Sequence, residues 1–198
     1  MALGDRTFRQ LNLDHPEVES RIMDEIGSDV DVYYDRRWPF TREFCGFLME
    51  HPELVAGRRV LVVGAGVGME AVVAGHLAQG LWINDLAPVA LELQQRQLAA
   101  NGLTEIGVIP GSFGKLELPP EVDLVLGCFV IYDPPTAEAM EVLVTRSHGR
   151  GIPTLLADLD MGKHFSDMIS RLAAPVRRIA SWKMPQAAST SIQVVQVG

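Results

Sequence analysis

A chain of 198 residues, 47% of them hydrophobic, has material for one well-buried core but not for two full-sized ones. Its formal net charge of -8 argues against nucleic acid as a main partner, because a reader of phosphate backbones gathers basic side chains that release counterions. Cys45 and Cys128 are too few for a disulfide framework or a zinc site, which points to a reducing cytoplasm, and no apolar run is long enough for a membrane span or an export signal.

Residues 1–57 read as a helical extension packing on a core that spans 58–198. Within the extension, Val18, Ile22 and Ile26 recur every fourth residue, which predicts a helix beginning near Pro16 with one apolar face. A second helix is expected to take Thr41 as its N-cap, turn Phe44, Phe47 and Leu48 inward, and end before Pro52. From Arg59 the pattern alternates: strand 60–63, helix near 68–79, strand 81–84, helix 88–100, strand 106–109, strand 123–128. Such alternation builds parallel βαβ units. Pro88 can open the helix at 88–100, and Asn101-Gly102 can close it through a left-handed cap. A helix around 135–147, a fifth buried strand at 152–157 and a short helix at 164–172 follow. Runs at 176–183 and 190–197, joined by a polar turn at 186–189, predict a closing antiparallel hairpin. The expected fold class is α/β: a Rossmann-like, doubly wound, mostly parallel seven-stranded sheet in a single domain.

The chemistry concentrates in two places. Residues 60–68 read Val-Leu-Val-Val-Gly-Ala-Gly-Val-Gly, an apolar strand running into a turn where Gly64 and Gly66 let the backbone approach a ligand. Met69 stands where a dinucleotide fingerprint would carry its last glycine, so the spacing is GxGxG and disfavours NAD. About twenty residues on, Asp85 ends the second strand, where an open α/β sheet presents a carboxylate to ribose hydroxyls. S-adenosylmethionine (SAM) fits this pair better than a dinucleotide. The alternative for Asp85 is a cap on the helix that begins at Pro88.

Further stretches carry a resemblance: Trp38-Pro39, the His51-Pro52-Glu53-Leu54 approach to the first core strand, Asp85-Leu86-Ala87-Pro88, and Val130-Ile131-Tyr132-Asp133-Pro134-Pro135. In their order and spacing the chain resembles the seven-stranded class I SAM-dependent methyltransferases. It is most similar to the lysine methyltransferases of the electron transfer flavoprotein β-subunit and to bacterial ribosomal-protein methyltransferases. The resemblance implies that Trp38, Gly64, Ala65, Gly66, Asp85, Leu86, Ser112, Phe113 and Cys128 border SAM, that Tyr132 and Asp133 shape the catalytic end, and that no metal takes part. Trp38 either covers the methionine end or packs in the core, Phe113 either stacks on adenine or fills the core, and Asp133 either meets the acceptor or belongs to an ordinary turn.

Three departures stand out. Val62, Ser112 and Phe129 occupy positions where the resembling enzymes commonly carry acids, expected at the SAM ammonium, the adenine amino group and the target amine respectively. The implied acceptor is a protein lysine, with a small molecule as the alternative and a noncatalytic SAM-binding protein as a reading of another class. The acidic surface is compatible with a basic protein partner. Asp158 and Asp160 follow the fifth strand and read as loop acids by default, with an acceptor cation as the other possibility; His148 and His164 sit in no recognisable constellation.

Overall fold

The computed structural model describes residues 1–26, 33–35, 38, 40–159, 162–184 and 187–198. Pro39, Asp160 and Gln186, each part of a sequence reading above, lie outside the described residues. A seven-stranded sheet organises the chain. Its strands are β3 (Arg59–Val63), β4 (Gly80–Asp85), β5 (Ile106–Pro110), β6 (Leu124–Cys128), β7 (Thr154–Leu159), β8 (Val176–Met184) and β9 (Ala187–Val197), in the order β5-β4-β3-β6-β7-β9-β8. Pairings among β3 to β7 are parallel, while β9 joins β7 and β8 antiparallel. The expected α/β sheet with its C-terminal hairpin is therefore present.

Alternation along the strands explains the two layers of helices. Val60 and Val62 face one side with α2 (Thr41–Glu50) and α3 (Met69–Leu77), in a cluster that includes Phe44, Leu48 and Val72. Leu61 and Val63 face the other with α5 (Pro134–Gly149) and α6 (Lys163–Arg171), where Met140, Leu143 and Phe165 are buried. A strand buried on both faces must be apolar at every position, which is why β3 reads as an unbroken run. A third cluster joins α1 (Pro16–Ile26) through Val18 and Ile22 to α4 (Pro88–Ala100) through Ala90 and Leu93.

Several boundaries differ from expectation for local reasons. Thr41 is the first helical residue of α2, and its N-cap position falls on Phe40 with no side-chain cap bond. The fifth core strand begins at Thr154 rather than 152 and continues through Asp158 to Leu159; Pro153 just before it has no N–H for a ladder. Residues 187–189, expected in the turn, belong to β9. A two-residue hairpin, β1 (Ala2–Leu3) with β2 (Arg6–Thr7), precedes everything else, and Leu3 and Phe8 enter the core beside α2. Strands so short carry no periodic signal.

Long-range hydrogen bonds fix the extension in place. Arg9 N–H donates to Asn101 Oδ1 and Asn101 Nδ2 returns a bond to Arg9 O, both at 2.8 Å. Leu11 N–H donates to Gln97 Oε1 at 2.8 Å, and Val89 N–H near the start of α4 donates to Glu25 Oε1 at 2.9 Å.

One packing detail at the sheet edge is open to test. Gly107 on β5 pairs with Trp82 on β4, and a Cβ at Gly107 would come within 2.0 Å of the indole Cδ1. The ring covers a position that has no side chain of its own. Gly107→Ala is expected to lower unfolding free energy by about 1–3 kcal/mol through overpacking, read from urea denaturation.

Candidate functional site

β3 leaves the sheet through a turn that only glycine can make at two points. Gly64 has φ +58, and a Cβ there would stand 2.5 Å from Val130 Cγ1 in the loop after β6. Gly66 has φ +48 and lies under Tyr34. The turn is clamped from two sides. Ala65 N–H donates to Asn84 O at 2.9 Å, and Gly66 N–H donates to Asp85 Oδ2 at 2.8 Å. From α4, Gln94 Nε2 donates to Gly68 O at 2.8 Å and Gln97 Nε2 to Val67 O at 3.0 Å. These amides are buried, so each bond satisfies an interior donor as well as a loop carbonyl.

Asp85 ends β4 facing this turn. Its Oδ2 accepts from Gly66, its Oδ1 accepts from Ala87 N–H at 2.9 Å, and the N-terminal Val89 of α4 bonds Glu25 instead. Burial pushes the carboxyl up, and the backbone N–H groups of Ala87 and Gly66 pull it back. A carboxylate has about four lone-pair sites, so each oxygen keeps capacity for a hydroxyl donor. Asn84 beside it ties the neighbouring loop down, with Nδ2 donating to Ile109 O at 2.8 Å and Gly111 O at 2.7 Å.

Above these strand ends lies a cavity of about 520 Å³, within the range of small-molecule and cofactor sites. It gathers the residues singled out from sequence. Gly64, Ala65 and Gly66 form its floor with Asp85 and Leu86; Ser112 and Phe113 border it after β5. Cys128, Tyr132 and Asp133 line it from the β6 side, and Trp38 lines it from the extension. His148 and His164 do not border it. Leu86 and Tyr132 are among the exposed large apolar side chains, while Cys128 is buried and its thiol is pushed well up by that burial.

The loop after β6 supplies an aromatic end. Phe129 has φ 54, a left-handed conformation that costs a residue with a Cβ roughly 1–2 kcal/mol, and its N–H is held by Ala157 O at 2.9 Å. Its ring lies 5.0 Å from Phe40, and Tyr132 lies 4.2 Å from Tyr33. Asp133 is the N-cap of α5: Oδ1 accepts from Thr136 N–H at 2.8 Å and from Thr136 Oγ1 at 2.6 Å in a capping box. One carboxylate oxygen therefore serves the helix.

Other residues at the site escape a reading of the sequence. Tyr34 lines the cavity, is buried, and donates its hydroxyl to Glu25 on α1; burial first, then that carboxylate, push its ionisation up. Glu70 lines it as well, fully buried, with its carboxyl pushed up by desolvation to about 7. Its signal was a lone acid in the largely apolar helix MEAVVAGHL, and for Gln94 and Gln97 it was two amides three residues apart. Asp158, expected at the surface, is buried at the end of β7 outside the cavity, and desolvation pushes its carboxyl up to about 7.

No protein-family model matches the chain. It is 28% identical over 153 residues to the histone-arginine methyltransferase METTL23 of Xenopus laevis, a match covering 72% of this chain and 63% of that protein. It is 26% identical over 157 residues to the electron transfer flavoprotein beta subunit lysine methyltransferase of Danio rerio, covering 78% and 59%. The chain thus spans less than two thirds of the length of these curated relatives. Among solved structures it superposes with a TM-score of 0.61 and 17% identity on the Pyrococcus abyssi tRNA (uracil-54, C5)-methyltransferase in complex with S-adenosyl-L-homocysteine, covering 79% of this chain and 38% of that one. The fold is that of class I SAM-dependent methyltransferases, and the sequence relatives are protein lysine and arginine methyltransferases.

Asp158 gives the fold a pH dependence. The folded carboxyl keeps its proton to about pH 7, whereas the unfolded chain releases it near 3.8, so the native state binds more protons between the two. Stability then falls as pH rises through that window. Asp158→Asn is expected to raise unfolding free energy by about 2–4 kcal/mol above pH 7 and to change little near pH 4, read by denaturation at each pH.

Proposed function

We propose that this chain is a SAM-dependent methyltransferase acting on a nitrogen of a protein side chain, with lysine as the acceptor. The observation that carries the reading is the joint between the Gly64–Gly66 turn and Asp85, set at the strand ends on the floor of the cavity. Ribose hydroxyls donating to Asp85 would orient the nucleoside, and Ser112 and Phe113, which also line the cavity, would border its base. SAM supplies a methyl group already activated on a sulfonium. What remains for the protein is to align the acceptor and exclude water. Tyr33, Tyr132 and Phe129 line the cavity with aromatic faces suited to a long side chain with a cationic or neutral amine at its tip, Phe40 packing against Phe129. Desolvation between such faces favours the neutral, nucleophilic amine. The protein methyltransferases named above support a protein acceptor.

Phe129, standing where the resembling enzymes carry an acid, favours a second reading in which the acceptor is an uncharged small molecule. Radiolabelled SAM added with cell extract separates the two: label is expected in the protein fraction, and label confined to small molecules supports the alternative. Calorimetry with S-adenosylhomocysteine tests the shared premise. Asp85→Ala is expected to weaken that binding about ten- to a hundredfold, and an unaltered affinity would remove Asp85 from the site.

A further inference from the structure

Glu70 is an acid buried in an apolar helix turn, and among the described residues it has no ion pair to account for it. Its Oε2 has no hydrogen-bond partner among the described residues, and the side chain lines the same cavity as the glycine turn. Leaving a buried carboxylate oxygen unmatched costs free energy unless a donor arrives. The carboxyl lies against Gly68 so closely that a Cβ there would come within 2.0 Å of Oε1, so the absence of a side chain at Gly68 is what admits it. The buried thiols of Cys45 on α2 and Cys128 at the end of β6 are pushed well up by burial first and then by Glu70, and neither supplies a positive charge.

Strand order says which part of a ligand would reach it. In the order β5-β4-β3-β6, Asp85 closes β4 on one side of β3, and Cys128, a thiol close enough to Glu70 to be influenced by it, closes β6 on the other. A nucleoside held by its ribose at Asp85 would extend its arm across β3 toward that side. For SAM, the arm is an amino acid carrying an ammonium.

Resting on the SAM reading above, we propose that Glu70 binds the α-ammonium of the donor, the anchoring carboxylate being delivered from the first turn of α3 where Val62 on β3 offers none. The ammonium supplies the donor that Oε2 lacks, and the exchange is a charge-assisted hydrogen bond inside a shielded cavity. Burial already holds the free carboxyl near neutrality, so a cation beside it would favour its ionised form.

Calorimetry with two ligands tests this. S-adenosylhomocysteine carries the amino acid arm; methylthioadenosine carries the same nucleoside without it. Glu70→Gln is expected to weaken the first about ten- to a hundredfold and to leave the second within about twofold. Gly68→Ala, which displaces the carboxyl while leaving Glu70 in the chain, is expected to show the same selectivity. Equal losses on both ligands, or no loss on either, would overturn the assignment while the SAM reading stands. If the unaltered protein binds neither ligand, both fall.

Discussion

The hydrogen bond from Gly66 N–H to Asp85 Oδ2, 2.8 Å long, holds the site together. It joins the turn after β3 to the end of β4, so the two features that would meet the donor cannot move independently. Each imposes a condition on the other. The turn can present its N–H to Asp85 only with a left-handed backbone at Gly66, and the acid is kept close to the turn despite a desolvation cost that raises its proton affinity. Gln94 and Gln97 then fix the following carbonyls from α4, so the loop is held from both the sheet and the helix.

The extension completes the cavity as well as packing on the core. Tyr34 and Trp38 contribute directly to the wall, and Tyr34 is positioned by Glu25, whose other oxygen bonds the first turn of α4. One acid on α1 thus connects a helix of the core to an aromatic side chain over the glycine turn. The acceptor end has a different character, built from ring contacts and from a loop whose Phe129 adopts a backbone that residues with a Cβ seldom take. Asp133 stabilises that loop by capping α5, so polar groups there support a largely apolar surface.

Much of this was legible in the sequence because the signals were strong and local. β3 and the helix at Pro88 follow from an apolar run and from a proline with an Asn-Gly stop, and the structure begins and ends that helix at Pro88 and Ala100. Gly64, Gly66 and Asp85 were visible because the backbone and the strand-end rule restrict which residue types serve there. What escaped depends on contacts between distant segments. The carboxylates of Glu25 and Glu70 look like ordinary helical acids until the structure shows one bonded to Tyr34 and the other buried below the turn. Asp158 was misplaced because nothing nearby in the chain indicates that the sheet continues past Ala157 and buries it. Thr41 failed as a cap for the opposite reason: a favourable residue type was present, but the helix begins on it.

The bonds that fix the extension also bear on how the protein is made. Arg9 finds its partner 92 positions later, Leu11 86 positions later and Glu25 64 positions later. During synthesis the N-terminal segment leaves the ribosome well before α4 exists to receive it, and it must wait with Val18, Ile22 and Tyr34 uncovered. Docking of this segment therefore waits until the first two core strands, β3 and β4, and then α4 have been translated, and an interval of exposed apolar surface is built into biogenesis.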